Sequence, residues 1–425
     1  MKRLGRLVSA FFLAAGLAAC AHNPAPDAAD NPAAEQNRLL VTFADRGIAR
    51  SVAGYALDNY PLNPRYRNSG WSERLAGELA ERHQLQLISQ WPITELGVSC
   101  VVYQIAEQSR LQQAIRELQA EPDVAAVQSM HGFQVLAGQA AAASPAGDPY
   151  LQLQSGYQSL GIGDLHQTST GRGVSIAIVD TGVDLGHPDL QGQIKYAENL
   201  GPEPADHNLA DAHGTAVAGI IAARPGNGIG IAGIAPEADI LAFRACWPLA
   251  PGALAARCNS LTLALALNQA LRMDSRIINL SLGGPEDQLL RQLIEKALSK
   301  GVIVIAAVAG EVTIGGFPAN IPGVIAVGRD GQNPAADMTA PGQDILTTVP
   351  HQAYEFMTGS SFAAPHVAGV AALLLQLHPD WRTQDVLRLL GNHLNRLTAG
   401  QLQNGTPLAA RESDRQANRK SVDDR

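Results

Sequence analysis

The stretch that most restricts the fold runs from Thr358 to Leu377. Phe362 to Leu377 is apolar and rich in Ala and Leu, long enough for about four turns of helix. Pro365 falls in its first turn, where a missing N–H does no harm. Ser361 stands at the mouth of the run. A serine there sets its oxygen at a helix N-terminus, where unpaired N–H groups and the positive dipole end stabilise developing negative charge. Taken alone, Ser361 reads as an ordinary N-cap. The residues upstream change that reading.

A nucleophile needs a base, and the base needs a partner that orients it. Val174 to Asp180 is an apolar, β-branched run ending in an acid. It reads as a buried parallel strand that delivers Asp180 at its carboxyl end, where open α/β sheets place their sites. His213 to Ala223 reads as a small-residue helix that opens on a histidine. The order along the chain is Asp, His, Ser, and no Gly-x-Ser-x-Gly surrounds Ser361, which argues against the α/β-hydrolase fold.

On these residues the chain resembles the subtilisin-like serine peptidases, which share the order Asp, His, Ser. The resemblance rests on Asp180-Thr181-Gly182-Val183-Asp184, on His213-Gly214-Thr215 through Gly219, and on Gly359 through Gly369. Gly230 to Pro236, Ile278 to Gly284, Phe317-Pro318-Ala319 and Pro322 to Gly328 support it in the right order. It implies an α/β fold: a parallel sheet flanked by helices, preceded by a small α+β ferredoxin-like propeptide domain. It implies Ser361 as nucleophile, His213 as general base and then acid, and Asp180 as the orienter. Asp184, His187, Asp189, Asp211 and His366 are then structural neighbours. Ser281-Leu282-Gly283 matches the family's substrate strand, so extended protein or peptide substrates are expected to pair there.

One position departs from the family. Gly310 stands where an asparagine is expected to donate to the oxyanion; the Ser361 backbone N–H remains as one donor, and the Gly310 N–H or a water is the candidate replacement for the other. In a member of this family, loss of that donor costs about 10²–10³ in turnover. A peptidase and a tethered, catalytically defective module that binds extended peptides therefore both remain open. Glu311 aligns near the primary pocket and reads either as a preference for basic residues or as a solvated side chain. The resemblance requires no cofactor for catalysis. It admits a structural calcium ion on the loop from Pro225 to Ile231, with Asp189 and Asn227 as candidate ligands; a Gly-rich turn without metal is the other reading.

The 425 residues, 46% hydrophobic and 16% charged, suit several folded units with a sizeable core. A net charge of −8 without a basic cluster makes nucleic acid an unsuitable partner. Residues 1–19 form a leader: Lys2, Arg3 and Arg6 precede a short apolar run that ends in Leu17-Ala18-Ala19-Cys20. This resembles a bacterial lipobox, which implies lipidation at Cys20 and anchoring in the outer membrane of a Gram-negative cell envelope. Residues 20–37 are a polar tether.

Residues 38–136 read as β-α-β-β-α-β, with helices expected over Trp71 to His83, capped by Ser72, and over Ser109 to Gln119, and a last strand from Val124 to Val135. By the resemblance this is the inhibitory propeptide, and 137–149 is the linker to be cut. Cutting there removes the covalent tie to lipid; release of the catalytic domain, docking on the propeptide and no cut at all are the alternatives, and cutting followed by at least transient docking is the expectation. Residues 150–398 are the expected catalytic domain, with a short helix over Leu160 to Thr168 and a closing helix over Trp381 to Leu397. Residues 399–425 read as a polar tail. Cys246 and Cys258 flank a short Pro- and Gly-containing loop and are expected to pair, which suits an oxidising compartment. Cys100, in an apolar strand, is expected to be an inert thiol.

Overall fold

Leu39 to Phe43 builds β1 (Arg38–Ala44), and both faces of that strand are buried. The structure, a computed structural model, describes residues 37–135 apart from 46, 48 and 51–65, and residues 148–405 apart from 203–209, 250–252, 309–315, 330–335, 392–393 and 395–397. The leader, Cys20 and the tether, residues 136–147 of the linker, Gly310, Glu311 and the charged tail lie outside the described residues.

After β1 come α1 (Gly70–Arg82), β2 (Gln86–Ile93), β3 (Val98–Gln104), α2 (Leu111–Gln119) and β4 (Val124–Ser129). The strands form one antiparallel sheet in the order β2-β3-β1-β4, the ferredoxin-like arrangement. Leu39, Val41 and Phe43 close a small core with Leu75 and Leu79 of α1 and Leu118 of α2. Alternation along the strand sends Leu40, Cys100 and Val102 to the opposite face, where they join the core of the second domain.

Two local expectations change here. The N-cap of α1 is Ser69, whose Oγ accepts from the Ser72 N–H at 3.2 Å. Ser72 is buried inside the first turn and donates its hydroxyl to Asp45 Oδ2 at 2.6 Å, a partner brought in from the end of β1. The run Val124 to Val135 is two strands, not one. Ser260 N–H donates to the His131 carbonyl at 3.1 Å, and His131 N–H donates to Ser260 Oγ at 3.0 Å. These bonds turn the backbone away, so that β5 (Gly132–Val135) leaves its own domain.

The second domain contains β6 (Ser175–Asp180), β7 (Ile194–Asn199), α3 (Ala212–Ala222), β8 (Asp239–Arg244), a hairpin of β9 (Cys246–Pro248) and β10 (Ala256–Asn259), α4 (Ser260–Arg272), β11 (Ile277–Leu280), β12 (Leu282–Gly283), α5 (Gln288–Ser299), β13 (Ile303–Ala307), β14 (Ile325–Arg329), β15 (Met338–Ala340), a hairpin of β16 (Ile345–Val349) and β17 (Ala353–Met357), α6 (Ser360–Leu377), α7 (Thr383–Leu390) and α8 (Ala399–Asn404). Seven strands form a parallel sheet in the order β15-β14-β13-β11-β6-β8-β7. Ile176 and Ile178 face the layer of α3 and α6, while Ala177 and Val179 face the layer of α4 and α5. Burial on both faces explains why β6 shows no polar alternation.

Small residues let α3 and α6 approach their neighbours. A Cβ on Gly219 would lie 2.2 Å from Thr348 Oγ1, and one on Gly369 would lie 2.7 Å from Ile234 Cβ. α6 is long and apolar enough to cross a membrane by length and composition, but it is the buried core helix of this domain.

Further corrections concern element ends. Leu160 to Thr168 is not one helix; Ser155–Ser159 and Ile162–Leu165 are separate, with Gly161 at φ +63° between them. The closing helix stops at Leu390, where Gly391 takes φ +57°. The domain also continues past 398, because Leu402 of α8 is buried in the core that includes α6.

Candidate active site

The carboxyl end of β6 presents Asp180, and the first turn of α3 presents His213. His213 Nδ1–H donates to Asp180 Oδ1 at 2.7 Å, and the Thr181 N–H donates to the same oxygen at 2.7 Å. Both side chains are buried. Asp211 caps α3: its Oδ1 accepts from the His213 N–H at 3.2 Å and from the Thr181 hydroxyl at 2.5 Å. Thr181 Oγ1 in turn accepts from the Gly214 N–H at 3.0 Å. Burial pushes the Asp211 carboxyl above its usual range. The strand end carrying Asp180 and the helix start carrying His213 are thus tied by four side chains, Asp180, Thr181, Asp211 and His213, of which the sequence reading singles out only Asp180 and His213 for chemistry.

His213 Nε2 is buried and makes no hydrogen bond among the described residues. The imidazole sits 5.1 Å, centroid to centroid, from the ring of Phe362, the residue after Ser361. Ser361 lies in the first turn of α6, buried, with Gly359 rather than Ser361 at the N-cap position. Asn279 Nδ2–H donates to Ser281 Oγ at 2.9 Å, and the Ser281 hydroxyl donates to the Ser361 carbonyl at 2.8 Å. Ser360 donates its hydroxyl to the Val308 carbonyl at 2.7 Å. These bonds fix the start of α6 on the carboxyl ends of β11 and β13. An imidazole ordered by a carboxylate, with its other nitrogen unpaired beside a helix that opens on a serine, has the parts needed to take a hydroxyl proton.

The other acids and histidines serve turns. Asp184 accepts from the Gly186 N–H at 2.9 Å and the His351 N–H at 3.2 Å. His187 Nδ1 accepts from the Asp189 N–H at 3.2 Å. His366 Nδ1–H donates to the Phe362 carbonyl at 2.7 Å, and burial lowers that imidazole to about 4.

β5 runs antiparallel between β10 and β12. Gly132, Phe133 and Gln134 pair with Asn259, Cys258 and Arg257. Gln134 and Val135 pair with Gly283 and Leu282. The strand read from sequence as a substrate rail therefore carries a segment of the chain's own N-terminal domain. The second rail, Arg257 to Asn259, was missed. Its only sequence signal is the short alternation of Ala256, charged Arg257 and Cys258, which the structure places buried, half-buried and buried. Cys258 is bonded to Cys246 across the β9–β10 hairpin, as expected. Cys100 is free and buried, and burial raises its thiol.

Asp189 and Asn227 are brought together, but not as a cation cage. Asp189 accepts from Asn227 Nδ2–H at 2.7 Å, the Ile231 N–H at 2.8 Å and the Tyr354 hydroxyl at 3.0 Å. Asn227 Oδ1 is taken by the Ile229 N–H at 2.9 Å, which fixes the amide with its donor toward Asp189. Calcium takes six to eight oxygens; here donors surround the carboxylate, so the residues as arranged do not fit the ion.

Comparison with known proteins gives a consistent result. The subtilase family model matches residues 171–406. Subtilisin E of Bacillus subtilis is 35% identical over 293 residues, covering 65% of this chain and 71% of the relative. Thermitase of Thermoactinomyces vulgaris is 37% identical over 241 residues, covering 53% of this chain and 84% of the relative. The crystal structure of fervidolysin from Fervidobacterium pennivorans, described as a keratinolytic enzyme related to subtilisin, superposes with a TM-score of 0.63 at 21% identity. The match covers 88% of this chain and 61% of fervidolysin, and at that identity it speaks for the fold. The chain belongs to the subtilase family.

Proposed function

We propose that this chain is a serine endopeptidase that hydrolyses peptide bonds of extended or unfolded proteins, with Ser361 as nucleophile, His213 as base and then acid, and Asp180 as orienter. The observation that carries the reading is the buried His213–Asp180 bond of 2.7 Å beside the start of α6. Substrate carbonyl carbon takes the Ser361 oxygen while His213 Nε2 takes its proton; the imidazolium then protonates the leaving amine. The Ser361 backbone N–H serves as one oxyanion donor, and Gly310 offers no side chain for a second. Turnover is correspondingly slow. Residues 38–136 act as a propeptide whose strand β5 fills the substrate groove until the linker is cut. Cys20 anchors the precursor by lipid to a Gram-negative outer membrane.

The experiment compares the parent chain with Ser361→Ala, following fragment size and N-terminus over time and digestion of casein. Cutting in the parent alone supports the reading. If both chains stay intact and casein survives, the peptide-binding module favoured by Gly310 replaces it. Labelled palmitate incorporated by the parent and not by Cys20→Ala tests the anchor.

A further inference from the structure

Three strands set one row of side chains along the groove. Trp247 of β9 pairs with Arg257 of β10, and Arg257 pairs with Gln134 of β5. Directly opposed residues in a sheet project to the same face. On its other side Gln134 pairs with Gly283 of β12. Of the two residues paired with position 134, only Arg257 therefore carries a side chain. The adjoining row, Cys246, Cys258 and Phe133, points the other way, into the apolar cluster shared with α4 and α5.

Burial falls along the row. Trp247 is buried, Arg257 is half-buried and Gln134 is exposed. The Arg257 guanidinium lies over the Trp247 ring, 5.3 Å from its centroid. Gly201 also packs against that ring: a Cβ there would lie 3.4 Å from Trp247 Cε3. The fixed indole thus holds the guanidinium by cation–π attraction. Much of the rotamer freedom that a long cationic side chain gives up on pairing is then lost before any ligand arrives. The result is a held positive charge at the one step of the groove where a bound strand turns a side chain outward beside β10. The segment in the groove meets that charge with the neutral amide of Gln134. A carboxylate in its place would make an opposite-charge cross-strand pair, and an ammonium a like-charge one.

Resting on the peptidase reading, we propose that Arg257, held by Trp247, is a specificity-determining residue: the groove favours extended protein segments with Asp or Glu at the position now held by Gln134 and disfavours Lys or Arg there. The discrimination has two parts, attraction of the acid and repulsion of the base. Because the site is half-exposed, each part is modest, about 2–5-fold relative to Gln, and both shrink in 1 M salt.

Two measurements test it, both on the full chain as expressed. The first compares kcat/KM for peptides that keep the Gly-Phe-x-Val sequence of β5 and differ only at x. The expected order is Glu above Gln above Lys, in steps of about 2–5-fold. Arg257→Gln should flatten the order and Arg257→Glu should invert it; where the charge reversal does not fold, Arg257→Gln alone decides. Equal values in the parent, or an order that survives Arg257→Gln, overturn the proposal. The second measurement needs no turnover. In Ser361→Ala, hydrogen-exchange protection of the Gly132 to Gln134 amides reports how tightly β5 is held. Gln134→Glu should raise that protection about 2–5-fold and Gln134→Lys should lower it as much, while both effects vanish when Arg257→Gln completes the double-mutant cycle. Protection that ignores the charge at position 134, or responds equally without Arg257, overturns the pair. A parent that cuts no peptide defeats the peptidase reading, and the exchange cycle then decides by itself whether Arg257 reads charge in the groove.

Discussion

Gly214 stands so close to Gly182 that a methyl group on it would lie 2.2 Å from the Gly182 carbonyl oxygen. That contact sets how near the histidine helix comes to the aspartate strand. Gly182 itself takes φ +114°, so the turn cannot give way easily. Gly214→Ala is expected to push the start of α3 outward and lengthen the His213–Asp180 bond. A displacement near 1 Å costs about 10²-fold in rate, and the crowding costs about 1–3 kcal/mol in stability. Kinetics on an unstructured protein and a melting curve check both; unchanged turnover would show that the contact does not set the geometry.

Below neutral pH the histidine of α6 should weaken the fold. The unfolded chain binds a proton at His366 near its ordinary 6.5, whereas burial holds the folded value at about 4. The unfolded state therefore carries more protons between those limits, and stability falls as pH drops through that window. A separation of that size corresponds to about 3 kcal/mol. Asp189 and Asp211, raised by burial, act in the opposite sense. The measurement is the slope of unfolding free energy between pH 6.5 and 4 in parent and His366→Asn. A variant slope equal to the parent's would mean that His366 does not titrate this way.

Calcium should leave the melting temperature unchanged, since three donors already satisfy Asp189. Asn227→Asp removes one donor and sets a second carboxylate beside the first. Its melting temperature in chelator is expected to fall by about 2–8 °C, from a loss of roughly 1–3 kcal/mol, and to recover partly in millimolar calcium. A parent whose melting temperature drops on chelation would contradict the donor arrangement.

Replacing Cys246 and Cys258 together with Ala should lower stability by about 3 kcal/mol, as for a short closed loop. Because the bridge braces β10, KM for extended peptides should rise more than kcat falls. Denaturant unfolding and steady-state kinetics separate the two effects; an equal loss in both constants would point away from groove positioning.

The residues proposed for chemistry stand out in the sequence because they sit in local settings with fixed spacing: an acid ending an apolar strand, a histidine opening a small-residue helix, a serine before an apolar run. The ferredoxin-like order of the first domain was legible from periodicity alone. What escaped was set by partners distant in sequence. The break at Met130-His131 depends on Ser260, more than a hundred residues later, and nothing in the β-rich run marks it. Ser69 rather than Ser72 caps α1 because Asp45 claims the Ser72 hydroxyl. Asp211 and Thr181 reveal their role only when the ends of β6 and α3 are placed side by side.

The outer face of the first sheet, with Leu40, Cys100 and Val102, shares one apolar core with α4 and α5. That sheet is thus a wall of the second domain's interior as much as a domain in its own right. The intact chain should unfold cooperatively, because neither side of the wall is finished alone. If the proposed cut frees the N-terminal domain, α4 and α5 lose an apolar surface against which they pack. The endurance of the second domain after such a step is then expected to be a matter of unfolding rate more than of equilibrium, which the unfolding kinetics of the cut chain would measure.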